Sequence, residues 1–106
     1  NSVVRFKLAI TEDCPTIRPY DQDAWITLCD ANFDDISPSL NILNGLHFKW
    51  AMLLKSLTDE HLNRTLIHPE HKKPLTLSHF IGLYAWHCNH HFGHVKQALA
   101  NKGSFN

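Results

Sequence analysis

Thr76-Leu77-Ser78-His79-Phe80-Ile81-Gly82-Leu83-Tyr84-Ala85-Trp86-His87-Cys88-Asn89-His90-His91-Phe92-Gly93-His94-Val95-Lys96-Gln97-Ala98-Leu99 is a stretch in which apolar or neutral residues recur every three or four positions. Leu77, Phe80, Ile81, Tyr84, Cys88, His91, Val95, Ala98 and Leu99 make one continuous stripe, which dictates an amphipathic helix. Thr76 supplies an N-cap hydroxyl, and Gly103 a stop. No period-two pattern persists anywhere in the chain for long enough to imply a sheet, so the predicted class is all-α.

The same helix carries the chemistry. Nine histidines occur, five of them between His79 and His94. His87 with His91, and His90 with His94, are i, i+4 pairs, and helical geometry sets the members of each about 6 Å apart on one face. Two imidazoles so placed can share one divalent ion through bonds of roughly 2.0 to 2.1 Å, and they need at least one further ligand. On the stripe defined by Tyr84, Cys88, Val95 and Ala98, His87 and His91 are expected to face inward. Burial there would keep them neutral and dry, as metal binding prefers. His90 shares a face with Leu83, Trp86 and Gln97, and His94 lies near the edge. The competing reading is an inward histidine that serves only as a hydrogen-bonded core residue. A Cys88-His91 combination is also geometrically open, against Cys88 as a small buried hydrophobe. His47 faces the apolar stripe of its own helix, from which it can enter the same pocket, while His61, His68, His71 and His79 fall in loops or at helix starts and are expected to be solvated.

Working outward, Ser37-Pro38 provides an N-cap with proline at the first helical position. Leu40, Leu43, Leu46, His47, Trp50, Leu53, Leu54 and Leu57 follow at spacings of three and four, predicting a helix over residues 38–57. Val3, Phe6 and Ile10 predict a helical segment over residues 2–12, ended by Asp13-Cys14-Pro15. That segment has neither an N-cap nor a preceding turn, which leads us to expect further sequence upstream. Residues 14–36 are rich in Pro, Asp and Asn and read as a connection holding a helical turn around residues 24–28. Thr58-Asp59-Glu60-His61 can cap another short turn, and residues 68–74 form a loop.

A chain of 106 residues with 43% hydrophobic content supports one domain, residues 1–106. Ten Lys and Arg balance ten Asp and Glu, so no basic field draws the chain to phosphate backbones, and nucleic acid is not an expected partner. The three tryptophans and the phenylalanines lack the basic interleaving of a base-stacking surface and read as core or interface. No apolar run approaches the roughly 18 residues that a membrane span needs. Cys14, Cys29 and Cys88, odd in number and irregular in spacing, fit reduced thiols, so a soluble cytoplasmic protein is expected. A glycine-rich phosphate loop, a G-x-S-x-G elbow and a paired CxxC are all absent from the sequence.

Beyond the histidines, Arg5-Phe6-Lys7-Leu8-Ala9, Thr11-Glu12, Pro19-Tyr20, Leu46-His47 with Trp50, Leu57-Thr58, His68-Pro69-Glu70, and Tyr84-Ala85-Trp86-His87 with His90-His91 and His94 follow one another in an order that resembles the DinB superfamily. The closest resemblance is to its YfiT-like branch of metal-dependent hydrolases. That resemblance implies an up-and-down four-helix bundle, here with its N-terminal helix incomplete. It also implies one divalent metal, nickel or zinc, held by three histidines, two of which fall on His87 and His91. The third is implied on a segment preceding Arg5-Phe6-Lys7, outside this chain. A three-histidine site leaves a position for water whose pKa falls towards about 7, which gives hydrolysis of a small-molecule substrate. The same position can take a low-molecular-weight thiol, which gives a thiol-dependent transferase. A non-enzymatic metal-binding or structural bundle is the rival from another class, and exposed Trp and Phe side chains suggest a homodimer. No general base stands out, since Glu12, Glu60 and Glu70 all have solvated readings.

Overall fold

The computed structural model describes residues 1–103. Helix α1 spans Ser2–Thr11 and ends where Glu12 turns extended and Cys14 adopts a left-handed φ of 42° ahead of Pro15. The connection that follows contains one helical turn, α2, Gln22–Trp25, whose N-cap Asp21 accepts a hydrogen bond from the Ala24 N–H at 3.0 Å.

Helix α3 runs Ser37–Lys55 with its proline in the first turn. Ser37 is not the expected cap. Ile36 takes that position, and the Ser37 N–H donates to Asp35 Oδ1 at 2.9 Å, so the aspartate satisfies one of the orphan donors of the helix start. Helix α4, Asp59–Asn63, opens with a reciprocal box: Thr58 Oγ1 accepts from the His61 N–H and His61 Nδ1 accepts from the Thr58 N–H, both at 3.3 Å.

The chain then departs from a purely helical reading. Strands β1, Thr65–Ile67, and β2, Pro74–Thr76, pair antiparallel with Leu66 opposite Leu75. Residues 68–73 are thus the loop of a hairpin, and Pro74, expected in that loop, begins β2. On the other edge of β1, the Ile67 N–H donates to the Pro15 carbonyl and the Ile67 carbonyl accepts from the Ile17 N–H, at 2.9 and 3.0 Å. Pro74, which has no N–H to offer, sits on the edge strand, where such a residue is tolerated. Three-residue strands are too short to show a period of two, and their partners lie up to a loop away in sequence.

Helix α5, Leu77–Ala100, continues directly from β2. Phe6 and Ala9 of α1, Ile17, Leu66 of β1, and Leu77 and Phe80 of α5 form the buried core, with Ile10, Trp50, Leu54, Leu57, Leu75, Ile81, Leu83 and Tyr84 packed around it. The core therefore lies where α1, the hairpin, the C-terminal end of α3 and the first turns of α5 meet. The far halves of α3 and α5 extend beyond it. A radius of gyration of 16.6 Å and a longest dimension of 46 Å record this, against about 13 Å for a compact chain of this length.

Candidate metal centre

Thr76 sets the start of α5 as expected, its Oγ1 accepting from the His79 N–H at 3.1 Å. Leu77 and Phe80, both buried, anchor the first turn in the core. Rings of Phe80 and Phe6 lie 6.0 Å from Tyr84, and Trp50 of α3 meets Tyr84 edge-on at 5.9 Å. One turn further, His87 leaves the core.

His87 and His91 converge. Their Nε2 atoms are 3.0 Å apart, with ring centroids at 4.4 Å and planes at 88°. Whichever Nε2 carries the proton donates to the other, so the accepting Nε2 presents a free lone pair in this contact. Two bonds of roughly 2.0 to 2.1 Å to one ion place their nitrogens about 2.9 Å apart at a right angle and about 3.4 Å apart in a tetrahedron. The observed 3.0 Å spacing lies within that range. The His91 imidazole is held below its usual pKa, first by desolvation and then by repulsion from His87, His94 and His90. A neutral ring is a ligand-ready ring.

A cavity of about 460 Å³ opens beside His87, lined also by Ser2, His47, Trp50, Ala51, Leu54, Tyr84 and Cys88. His47 thus reaches the pocket that its helical position suggested. Among the described residues, however, no third His, Cys, Asp or Glu side chain joins His87 and His91 to complete a metal site. Tyr84 contributes something that the apolar periodicity concealed: its hydroxyl is shielded from solvent and has no hydrogen-bond partner among the described residues. A buried hydroxyl left unpaired costs about 1 to 3 kcal/mol, and Tyr84 borders the cavity.

Several expectations need correction. His87, His91 and Cys88 are exposed rather than buried, because beyond the Trp50–Tyr84 contact no described element covers that face of α5. Cys88 is a free, accessible thiol at the cavity wall, not a buried hydrophobe. His68 is not solvated, as only 14% of its side chain is exposed. Its Nδ1 accepts from the Glu70 N–H at 3.3 Å, and burial pushes its pKa down despite the Glu70 carboxylate at 3.9 Å. Glu12 and Glu60 line a separate cavity of about 510 Å³ with Cys14, Asn63 and Arg64, so neither borders the His87 pocket. The outer pair lies as expected, with His90 stacked on Trp86 at 4.9 Å and 15°, and His94 4.3 Å from His90.

Known proteins resemble this chain over most of its length. The profile of the DinB superfamily matches residues 2–95. A Bacillus subtilis protein named "Putative metal-dependent hydrolase YfiT" is 45% identical over 103 residues, 97% of this chain and 58% of that protein. An Oceanobacillus iheyensis protein, "Putative metal-dependent hydrolase OB0782", is 40% identical over 96% of this chain and 58% of its own length. The solved structure of the Bacillus subtilis YfiT, described as a probable metal-dependent hydrolase with an unusual four-helix bundle topology, superposes with a TM-score of 0.87 at 44% identity. It covers 99% of this chain and 60% of that one. The chain therefore spans somewhat under two thirds of the length of these relatives. Its helices follow the four-helix bundle of that structure, with the small hairpin as an addition to the all-α expectation, and the chain belongs to the DinB superfamily.

Proposed function

We propose that this chain forms part of a metal-dependent hydrolase in which His87 and His91 ligate one divalent ion, nickel or zinc. The observation that carries the reading is the 3.0 Å separation of their Nε2 atoms, with His87 at the wall of an open cavity. The names of the relatives support the general class of reaction. A metal held by His87 and His91 would supply Lewis acidity and activate water for hydrolysis. The chain's own residues do the rest. Trp50, Ala51 and Leu54 give the pocket an apolar wall for a small substrate, and the Tyr84 hydroxyl donates to a polar oxygen of that substrate. His47 on the opposite helix borders the same space and orients or ligates what enters it.

Two imidazoles alone make a weak site, so the active protein draws at least one more ligand to this pair. The apolar residues exposed on α3 and α5 suit a homodimer, and reduced thiols suit the cytoplasm. Among the described residues, no helix is long and apolar enough to cross a membrane.

The test is elemental analysis of protein purified without a histidine tag, followed by assay of small esters and amides with and without added thiol. Bound nickel or zinc with thiol-independent hydrolysis is expected. Turnover that requires the thiol would assign a transferase instead, and protein that takes up neither metal would leave a structural bundle.

A further inference from the structure

We propose that His90 and His94 form a second site for divalent transition metals, separate from the His87–His91 pair. Their ring centroids are 4.3 Å apart, close to the 4.4 Å of the inner pair, with an interplanar angle of 65° that makes the contact edge-to-face rather than stacked. The Cα spacing is the same i, i+4, so the same helix geometry that suits one pair suits the other.

Trp86 strengthens the case. It is 59% exposed, so it serves no core there, and its one aromatic neighbour among the described residues is His90, stacked at 4.9 Å and 15°. A ring held by stacking has already given up part of its rotamer freedom, which lowers the entropic cost of coordination. Neither His90 nor His94 makes a side-chain hydrogen bond among the described residues, and no carboxylate lies within ion-pairing distance of them. An all-imidazole site of this kind takes copper, nickel or zinc and does not take calcium or magnesium, which require oxygen ligands.

The four rings do not make one site. His91 lies 5.7 Å from His94 and 6.0 Å from His90, and among the described residues no three donors converge on one position. The outer pair supplies two ligands and solvent completes the coordination, so an ion there is weakly held, exposed and exchangeable. This conclusion stands apart from the hydrolase reading, because the outer pair needs nothing from the inner one.

Trp86 also provides the measurement, since Cu(II) quenches an indole that it approaches. The experiment uses the 106-residue chain carrying His87→Ala and His91→Ala to remove the inner pair, with Trp25→Phe and Trp50→Phe to leave Trp86 as the fluorophore. Saturable quenching by Cu(II), reversed by a chelator and lost on adding His90→Ala with His94→Ala, is expected; Mg(II) should have no effect. Quenching that survives the second pair of substitutions, or none before them, overturns the proposal. Should Trp50→Phe unfold the chain, Cu(II) broadening of histidine ring proton signals with all tryptophans retained decides it. His90 and His94 should broaden first; earlier broadening of His68 and His71 would overturn it.

Discussion

At the residue scale, the two histidine pairs on α5 can be told apart by deletion. His87→Ala or His91→Ala should abolish binding of the first equivalent of metal. His90→Ala should leave that equivalent intact, because its side chain points about 60° or more away from both inner ligands on a 3.6-residue helix. Titration calorimetry on the three variants checks this, and the opposite pattern would transfer the tight site to the outer pair. Acidity should compete with the metal. Only neutral imidazole coordinates, and His91 is held below its usual pKa, so its ligand-ready form outlasts an ordinary histidine on acidification. Affinity should be full near pH 7 and fall towards about pH 5, as protons take the ligand nitrogens around and below about 6.5. A flat profile would exclude histidine ligation. Tyr84→Phe removes a hydroxyl that has no partner among the described residues, so it should leave the thermal midpoint unchanged or raised while weakening turnover. A clear loss of stability would mean that the hydroxyl is satisfied in solution.

At the scale of elements, the hairpin holds the molecule together and the outer halves of the long helices do not. Leu66 of β1 is fully buried between α1 and α5, so Leu66→Ala should destabilise by about 2 to 5 kcal/mol in urea unfolding. Leu43 of α3 is 47% exposed, and Leu43→Ala should change stability by about 0.5 kcal/mol or less. Equal costs would show that the outer half of α3 is covered in solution. The hairpin loop should also make stability depend on pH. Burial lowers the pKa of His68 in the folded state, so the unfolded chain binds that proton more readily. Stability then rises with pH through about 6.5 and declines below it, and His68→Gln should flatten the slope of the urea midpoint between about pH 7.5 and about pH 5.5.

At the scale of the whole molecule, the long dimension of 46 Å and the exposed Leu40, Leu43, Leu46, Val95 and Leu99 describe helices whose apolar stripes run on past the core. Such a face favours association, so light scattering on this chain should show a concentration-dependent dimer. Persistent monomers at high concentration would remove the homodimer from the reading. Periodicity was enough for α5, its Thr76 cap, both histidine pairs and the short α4 turn, because capping and i, i+4 contacts are settled within about one turn of chain. Periodicity also named Trp50 and Tyr84 as inward. It was silent on the hairpin, whose Thr65–Thr76 pairing closes a loop that no local pattern announces. It misjudged His68, whose side chain is largely covered in the folded chain, with only 14% exposed. It placed His87 and His91 in a dry interior, since an apolar stripe shows which face of a helix wants cover and not whether another element supplies it. The meeting of His47 with His87 across one cavity likewise depends on how α3 and α5 pack, because contacts between residues 40 positions apart are chosen by competing burial over the whole chain.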